Sequence, residues 1–267
     1  MQKKPYVFGL DMGGTNSVLG VVDARGHVLA RTSIKTQAYA DINDYVDALY
    51  TEAEKIIEPL GGFDQVRGIG AGVPNGNYYT GMIEGAMNLP WQSIPFAQIM
   101  ADRFGMPCKI TNDANAAAMG EMTYGAAKGM KNFIMITLGT GVGSGIVVDG
   151  KVVYGHDGFA GEYGHIMVDS RSTGRDCGCG RKGCLEAYAS ATGIKRTAFE
   201  LMAKMNNDSD LRELPFSKFE AVMLSTAADK GDAIAKEAFR FTGEVLGKSL
   251  ADLVATTSPE AIILFGG

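Results

Sequence analysis

The chain has 267 residues, 46% of them hydrophobic, and 30 Asp and Glu outnumber 25 Lys and Arg to leave a formal net charge of −5. That length suits one large domain or two smaller ones, with enough chain to bury a core. The acidic balance argues against a nucleic-acid-binding face, no run of about 18 apolar residues could span a membrane, and Asp11 follows Lys3 and Lys4 too soon for a secretory leader. The expected location is the cytoplasm.

Residues 7–29, VFGLDMGGTNSVLGVVDARGHVL, read as an apolar strand, a Gly/Thr turn, a second strand, a polar turn and a third strand. The 36 glycines, nearly twice the usual share of about 7%, suit such turns and close backbone approach to a ligand. Residues 41–58 read as a helix: Asp41 or Asn43 can cap it, Tyr45, Leu49 and Ile56 are its apolar positions, and Pro59 stops it. A strand over 66–72 leads into a loop rich in Gly, Asn and Pro. Residues 93–104 are expected to be helical, 108–111 a short strand, and 114–124 an Ala- and Met-rich helix. Residues 134–153, IMITLGTGVGSGIVVDGKVV, repeat the opening unit in order and in turn chemistry, which suggests two lobes of similar core. Helices are expected over 190–205 and 232–256, and an apolar run at 261–265 as a buried strand before Gly266 and Gly267. Alternating strands and helices make the class α/β.

The first turn, LDMGGTN, delivers Asp11 to its mouth, while Gly13 and Gly14 let backbone N–H groups approach an anion and the Thr15 hydroxyl adds a donor. Asp11 repels phosphate but can organise Mg²⁺ through water; taken alone, the segment is better explained as an ordinary hairpin turn with a polar residue at the strand end. The second turn repeats the design with Gly139, Thr140 and Gly141, and neither is a P-loop, because the GK[ST] ending is absent. In TNDANAAA, Asn112 and Asp113 project at a strand end beside a helix start. Two readings of Asp113 stand side by side. It is a general base, kept ionised by the helix N-terminus, or it simply caps that helix. Glu162 and His165, with Glu186 downstream, could bind sugar hydroxyls. His165 with Cys177, Cys179 and Cys184 matches a closed, structural Cys₃His zinc site, which disfavours both a disulfide and a catalytic metal. Cys108 reads as a packed core thiol, and His27 and His156 as surface or turn residues.

The ordered set LDMGGTN, ITNDANAAA, ITLGTGVGSGIVVDG, GFAGEYGHIMVD and CGCGRKGCLE resembles the ROK family of repressors, open reading frames and sugar kinases, and within it the bacterial glucokinase-like kinases. The resemblance runs from the first strand to the last glycine. It implies an actin-like ATPase (ribonuclease H-like) fold, two α/β lobes around a cleft, divided here as 1–114 and 115–267. It implies an ATP-dependent kinase that phosphorylates the 6-hydroxyl of a hexose, glucose first. Carried over by position, the nucleotide turns are Gly13, Gly14, Thr15 and Gly139, Thr140, Gly141. The sugar ligands are Asn88 (in NLPW), Asn112, Asp113, Glu162, His165 and Glu186, the base is Asp113, and the zinc ligands are His165, Cys177, Cys179 and Cys184. His165 would give one ring nitrogen to zinc and the other side to sugar.

Partners are then hexose and ATP, with no nucleic acid or membrane, in a homodimer. The family often has Lys after GGT, where this chain has Asn16. The family also continues past LFGG into a glycine loop and terminal helices, so a chain truncated at its C-terminus is expected. Such a chain should bind hexose weakly, bind ATP poorly, turn over slowly or not at all, and associate through exposed apolar surface. A sugar-responsive repressor would need a helix-turn-helix ahead of the core, and the first strand begins by Tyr6. A non-catalytic sugar-binding module is the other alternative.

Overall fold

Three strands open the computed structural model, which describes residues 4–86 and 88–266; Lys3 and Gly267 lie outside the described residues. They are β1 (Tyr6–Met12), β2 (Asn16–Val22) and β3 (Val28–Lys35), an antiparallel run as the turn chemistry predicts. Helix α1 (Ile42–Ile57) follows, capped by Asp41, whose carboxylate accepts the N–H of Asn43. Next come β4 (Val66–Gly72), the short strands β5 (Ile83–Glu84) and β6 (Ser93–Ile94), helix α2 (Phe96–Phe104), β7 (Cys108–Thr111) and helix α3 (Asp113–Tyr124). The expected helix over 93–104 thus loses its first three residues, because the position before Pro95 disfavours the helical backbone.

The chain divides into two compact units, residues 1–130 with 145–160, and residues 131–144 with 161–267. The first is built on a sheet of order β3-β2-β1-β4-β7, in which β1, β4 and β7 run parallel. Phe8, Leu10, Met12, Leu19 and Val21 point to one face and bury against Tyr45, Val46, Leu49 and Ile57 of α1 and Phe96, Met100 and Phe104 of α2. Each such side chain contributes roughly 1.5–3 kcal/mol by burial, so packing rather than propensity holds α1 and α2 in place. Cys108 is buried in this core, and burial pushes its thiol up to about 12. His27 and His156 are exposed.

The repeated unit follows as β8 (Phe133–Leu138), β9 (Val142–Val148) and β10 (Lys151–Val152), and the boundary between units falls inside β9. A short helix α4 (Glu186–Ala189) precedes α5 (Ala191–Lys204). Ser190 separates them and caps α5 by accepting the N–H of Gly193. Helix α6 (Ala221–Asp229), which had no strong sequence signal, leads to the long α7 (Ala233–Thr257), capped by Asp232. Ile194, Ala198, Leu211, Phe219, Leu224, Ala235 and Ala238 form the core of this helical part.

The last strand, β11 (Ala261–Gly266), pairs in parallel with β8. It ends the sheet order β10-β9-β8-β11, and Leu264 and Phe265 are 53% and 61% exposed. Of the strand expected to be buried, Ala261, Ile262 and Ile263 are half-buried and only its last residues are exposed in the chain as given.

Candidate functional site

In the first unit the candidate residues gather where the parallel strands end. Asp11 of β1 lies opposite Gly72 of β4, and Gly72 lies opposite Thr111 of β7. This is the end of an α/β sheet at which ligands bind. A Cβ on Gly72 would come within 3.0 Å of Ala116 Cβ and 3.4 Å of Asp113 Cα, so glycine there lets the start of α3 approach the strand. The cap of α3 is Asn112: its Oδ1 accepts the N–H groups of Ala114 at 2.7 Å and Asn115 at 3.3 Å. Asp113 is the first residue of the helix proper and is exposed. One of its oxygens accepts the adjacent Ala114 N–H at 2.9 Å. Partial burial, and then the charge of Asp113, hold the Asp11 carboxyl above the usual carboxylate range. Two carboxylates so placed repel, which a divalent cation would relieve.

The turn between β1 and β2 closes through Gly13 N–H donating to the Asn16 carbonyl at 2.9 Å. Beneath it runs a chain of buried hydroxyls. Thr36 donates to the Gly13 carbonyl at 2.7 Å, Ser17 and Thr36 are 2.8 Å apart, and Tyr45 donates to Ser17 at 2.6 Å. A hydroxyl has one proton. Since Thr36 gives its proton to Gly13, Ser17 must donate to Thr36, and the direction of the whole chain is fixed. Burial raises the Tyr45 phenol above its ordinary range, which keeps it a donor. Asn88 packs on the same turn: a Cβ on Gly14 would lie 3.1 Å from its Nδ2. A cavity of about 780 Å³ opens over the sheet face away from α1 and α2. Asp11, Gly72 and Thr111 line it together with Tyr78, Met119 and Tyr154.

In the second unit, the turn Gly139–Thr140–Gly141 joins β8 to β9, with Gly139 N–H closing on the Gly141 carbonyl at 3.0 Å. Glu186, the first residue of α4, reaches this turn: its Oε2 accepts the N–H of Val142 at 3.0 Å. Its Oε1 lies 3.7 Å from Cys177 Sγ. Glu162 is exposed just ahead of a single helical turn, Tyr163–His165.

His165, Cys177, Cys179 and Cys184 converge, with their ligand atoms all within 4.8 Å of one another. Cys177 Sγ is 3.6 Å from His165 Nδ1, and Cys179 Sγ is 3.7 Å from Cys184 Sγ. A tetrahedron with Zn–S bonds of about 2.3 Å has S···S edges of roughly 3.8 Å, so the donor set fits zinc with no position left open. All four cysteines are free thiols. The crowded thiols diverge: burial pushes Cys177 up to about 12, whereas for Cys179 burial is outweighed by hydrogen bonds from Arg181, which bring it down to about 7.

Arg175, two residues before Cys177, is buried and fully used. It donates to both oxygens of Glu200, to the carbonyls of Ala187 and Gly193, and to the Thr197 hydroxyl, all at 2.9–3.1 Å. Its guanidinium also stacks over the Tyr188 ring at 4.6 Å.

The structure thus brings Asp11, Gly13, Gly14, Thr15, Asn88, Asn112 and Asp113 into the first unit, and Gly139, Thr140, Gly141, Glu162, His165, Glu186 and the three cysteines into the second. Sequence reasoning missed Ser17, Thr36 and Tyr45 beneath the first turn, and Arg175. Ser17 carried a signal, since it is a polar residue on the inward alternation of β2. Arg175 carried none, because nothing in its local pattern marks a buried cation.

A model of the ROK family matches residues 7–267. The glucokinase of Halalkalibacterium halodurans is 37% identical over 277 residues, covering 100% of this chain and 81% of that protein. A crystal structure of a ROK family glucokinase from Streptomyces griseus, in complex with glucose and AMPPNP, is 34% identical with a TM-score of 0.81, covering 98% of this chain and 83% of that one. The xylose repressor of Caldicellulosiruptor bescii is 28% identical over 264 residues, covering 97% of this chain and 65% of the repressor.

Proposed function

The chain belongs to the ROK family, and on that premise we propose that it is an ATP-dependent hexose kinase of the actin-like ATPase fold, which transfers the γ-phosphate to the 6-hydroxyl of a hexose, glucose first. The observation that carries the reading at the site is the division of labour at the start of α3. Asn112 takes the capping role, so Asp113 is not needed as the cap, and its exposed carboxylate stands at the positive end of a helix. That is the ionised acceptor a sugar hydroxyl needs as it attacks phosphorus.

In this reading Asp113 takes the hydroxyl proton. The backbone of Gly13, Gly14 and Thr15, and of Gly139, Thr140 and Gly141, takes up charge on the phosphates. Asn88, Asn112, Glu162, His165 and Glu186 hold the sugar. Mg²⁺ would lie by Asp11 and neutralise phosphate charge when bound. Zinc would be held by His165 and the three cysteines as a structural ion that fixes the His165 ring and orders the loop before Glu186. A homodimer belongs to the same proposal, and light scattering reads it directly. No helix among the described residues is long and apolar enough to cross a membrane.

The test is ADP release from ATP across a panel of hexoses, with product phosphorylation mapped by NMR. Glucose is expected to give the highest kcat/KM, with phosphate on oxygen 6. Hexose binding without ADP release would overturn the kinase reading.

A further inference from the structure

We propose that Glu186 is a positioning residue for the second glycine turn, and so a determinant of nucleotide affinity. The inference rests on the reading that residues 139–141 hold phosphates of ATP. Glu186 Oε2 accepts the N–H of Val142, the residue at which the turn re-enters β9, at 3.0 Å. A side chain on Gly141 would overlap that same oxygen, so the carboxylate fills the space behind the turn. At the other end of the turn, the N–H of Ala191, first residue of α5, donates to the Gly139 carbonyl at 2.8 Å. The turn is therefore gripped at both ends by the segment that follows the metal loop.

Backbone N–H groups bind an anion only when they are aimed at it. Glu186 draws the Val142 N–H backwards and fixes the peptide plane on which the turn pivots. The same carboxylate touches the metal loop through Oε1 and Cys177 Sγ, 3.7 Å away. One side chain joins a phosphate turn to a metal-binding loop, and what it supplies to the turn is an acceptor oxygen rather than charge. An amide oxygen in its place should therefore serve the turn equally.

The deciding measurement is calorimetric binding of a non-hydrolysable ATP analogue with Mg²⁺ in the absence of sugar, where a residue that only binds hexose has no effect. Glu186→Ala is expected to weaken this affinity about 10-fold, about 1.4 kcal/mol. Glu186→Gln keeps an acceptor oxygen and is expected to stay within about twofold of wild type, although its hexose affinity falls. Gly141→Ala is expected to weaken nucleotide binding by itself but to add little in the Glu186→Ala background, because the clash is with the carboxylate. Zinc content and melting temperature check that each variant is folded; should Glu186→Ala fail to fold, the Gln and Gly141→Ala variants decide. Unchanged nucleotide affinity in folded Glu186→Ala, or strictly additive losses in the double variant, overturns the proposal alone. A wild-type protein that binds no nucleotide overturns the reading beneath it as well.

Discussion

Thr36→Val tests the hydroxyl chain beneath the first glycine turn. Valine matches threonine in shape, so the change removes an oxygen and opens no cavity. Two buried hydrogen bonds disappear, to the Gly13 carbonyl and from Ser17. At about 1 kcal/mol each they account for roughly 2 kcal/mol. Ser17 is then a buried donor with no acceptor, which costs about 1 kcal/mol more. A total of roughly 3 kcal/mol should lower Tm by about 6–12 °C for a unit of this size. The functional effect should be selective: the Gly13 carbonyl loses its anchor, so KM for ATP rises severalfold while KM for hexose changes little. Tyr45→Phe is the control, since it removes only the outermost donor and should cost about 1 kcal/mol without moving KM for ATP. Scanning calorimetry and initial-rate kinetics on the three proteins suffice. A drop in Tm with KM for ATP unchanged would show that the turn keeps its shape unaided, and the argument from the buried chain to nucleotide binding would fail.

Asp113→Asn keeps the shape of the α3 start but loses the proton acceptor, so kcat should fall roughly 100-fold or more with hexose affinity weakened far less; near-normal turnover in a folded variant would falsify the base assignment. Protein purified without chelator should carry one zinc per chain by elemental analysis, and slow removal by chelator should lower the melting temperature and make Cys177, Cys179 and Cys184 reactive toward a thiol reagent. Burial and Asp113 raise the Asp11 carboxyl, so the folded chain holds that proton more tightly than the unfolded one. This contribution to stability is complete below the ordinary Asp pKa and is lost as pH rises through the folded value. Asp11→Asn should therefore raise thermal stability at neutral pH without Mg²⁺, flatten this part of the pH profile, and remove most activity; a less stable variant would contradict the repulsion.

Legibility in the sequence followed the range of the interactions involved. The hairpins, the cap Asp41 and the His/Cys cluster were readable because turn chemistry, capping and metal ligation are written in a few neighbouring residues. Asp113 was read evenly as base or cap, and only three-dimensional placement showed that Asn112 does the capping. How far β11 is covered was not legible, because an apolar pentapeptide does not say how many neighbours it will have. Tyr45 looked like a core position of a helix, as it is, but that its hydroxyl reaches Ser17, 28 residues earlier, depends on how α1 lies across the sheet. Glu186 could be found as a carboxylate near a cysteine loop, whereas its bond to Val142, 44 residues away, could not.

Arg175 implies an order of assembly. All five of its N–H donors end on groups 12 to 25 residues later in the chain, on α4 and α5. A guanidinium gives up its hydration only when those acceptors are already arranged, so the loop that begins at Arg175 should close after α5 has docked. On the proposed zinc site, metal capture would then come last: the ion would seal a loop whose helical footing exists beforehand, and would not nucleate it. Pulse-labelled hydrogen exchange during refolding should find α5 amides protected at the same rate with or without zinc, with only residues 176–184 waiting for the metal. Cells short of zinc would accumulate a nearly complete protein with one unlatched loop, and restoring the ion would finish it without any need to unfold.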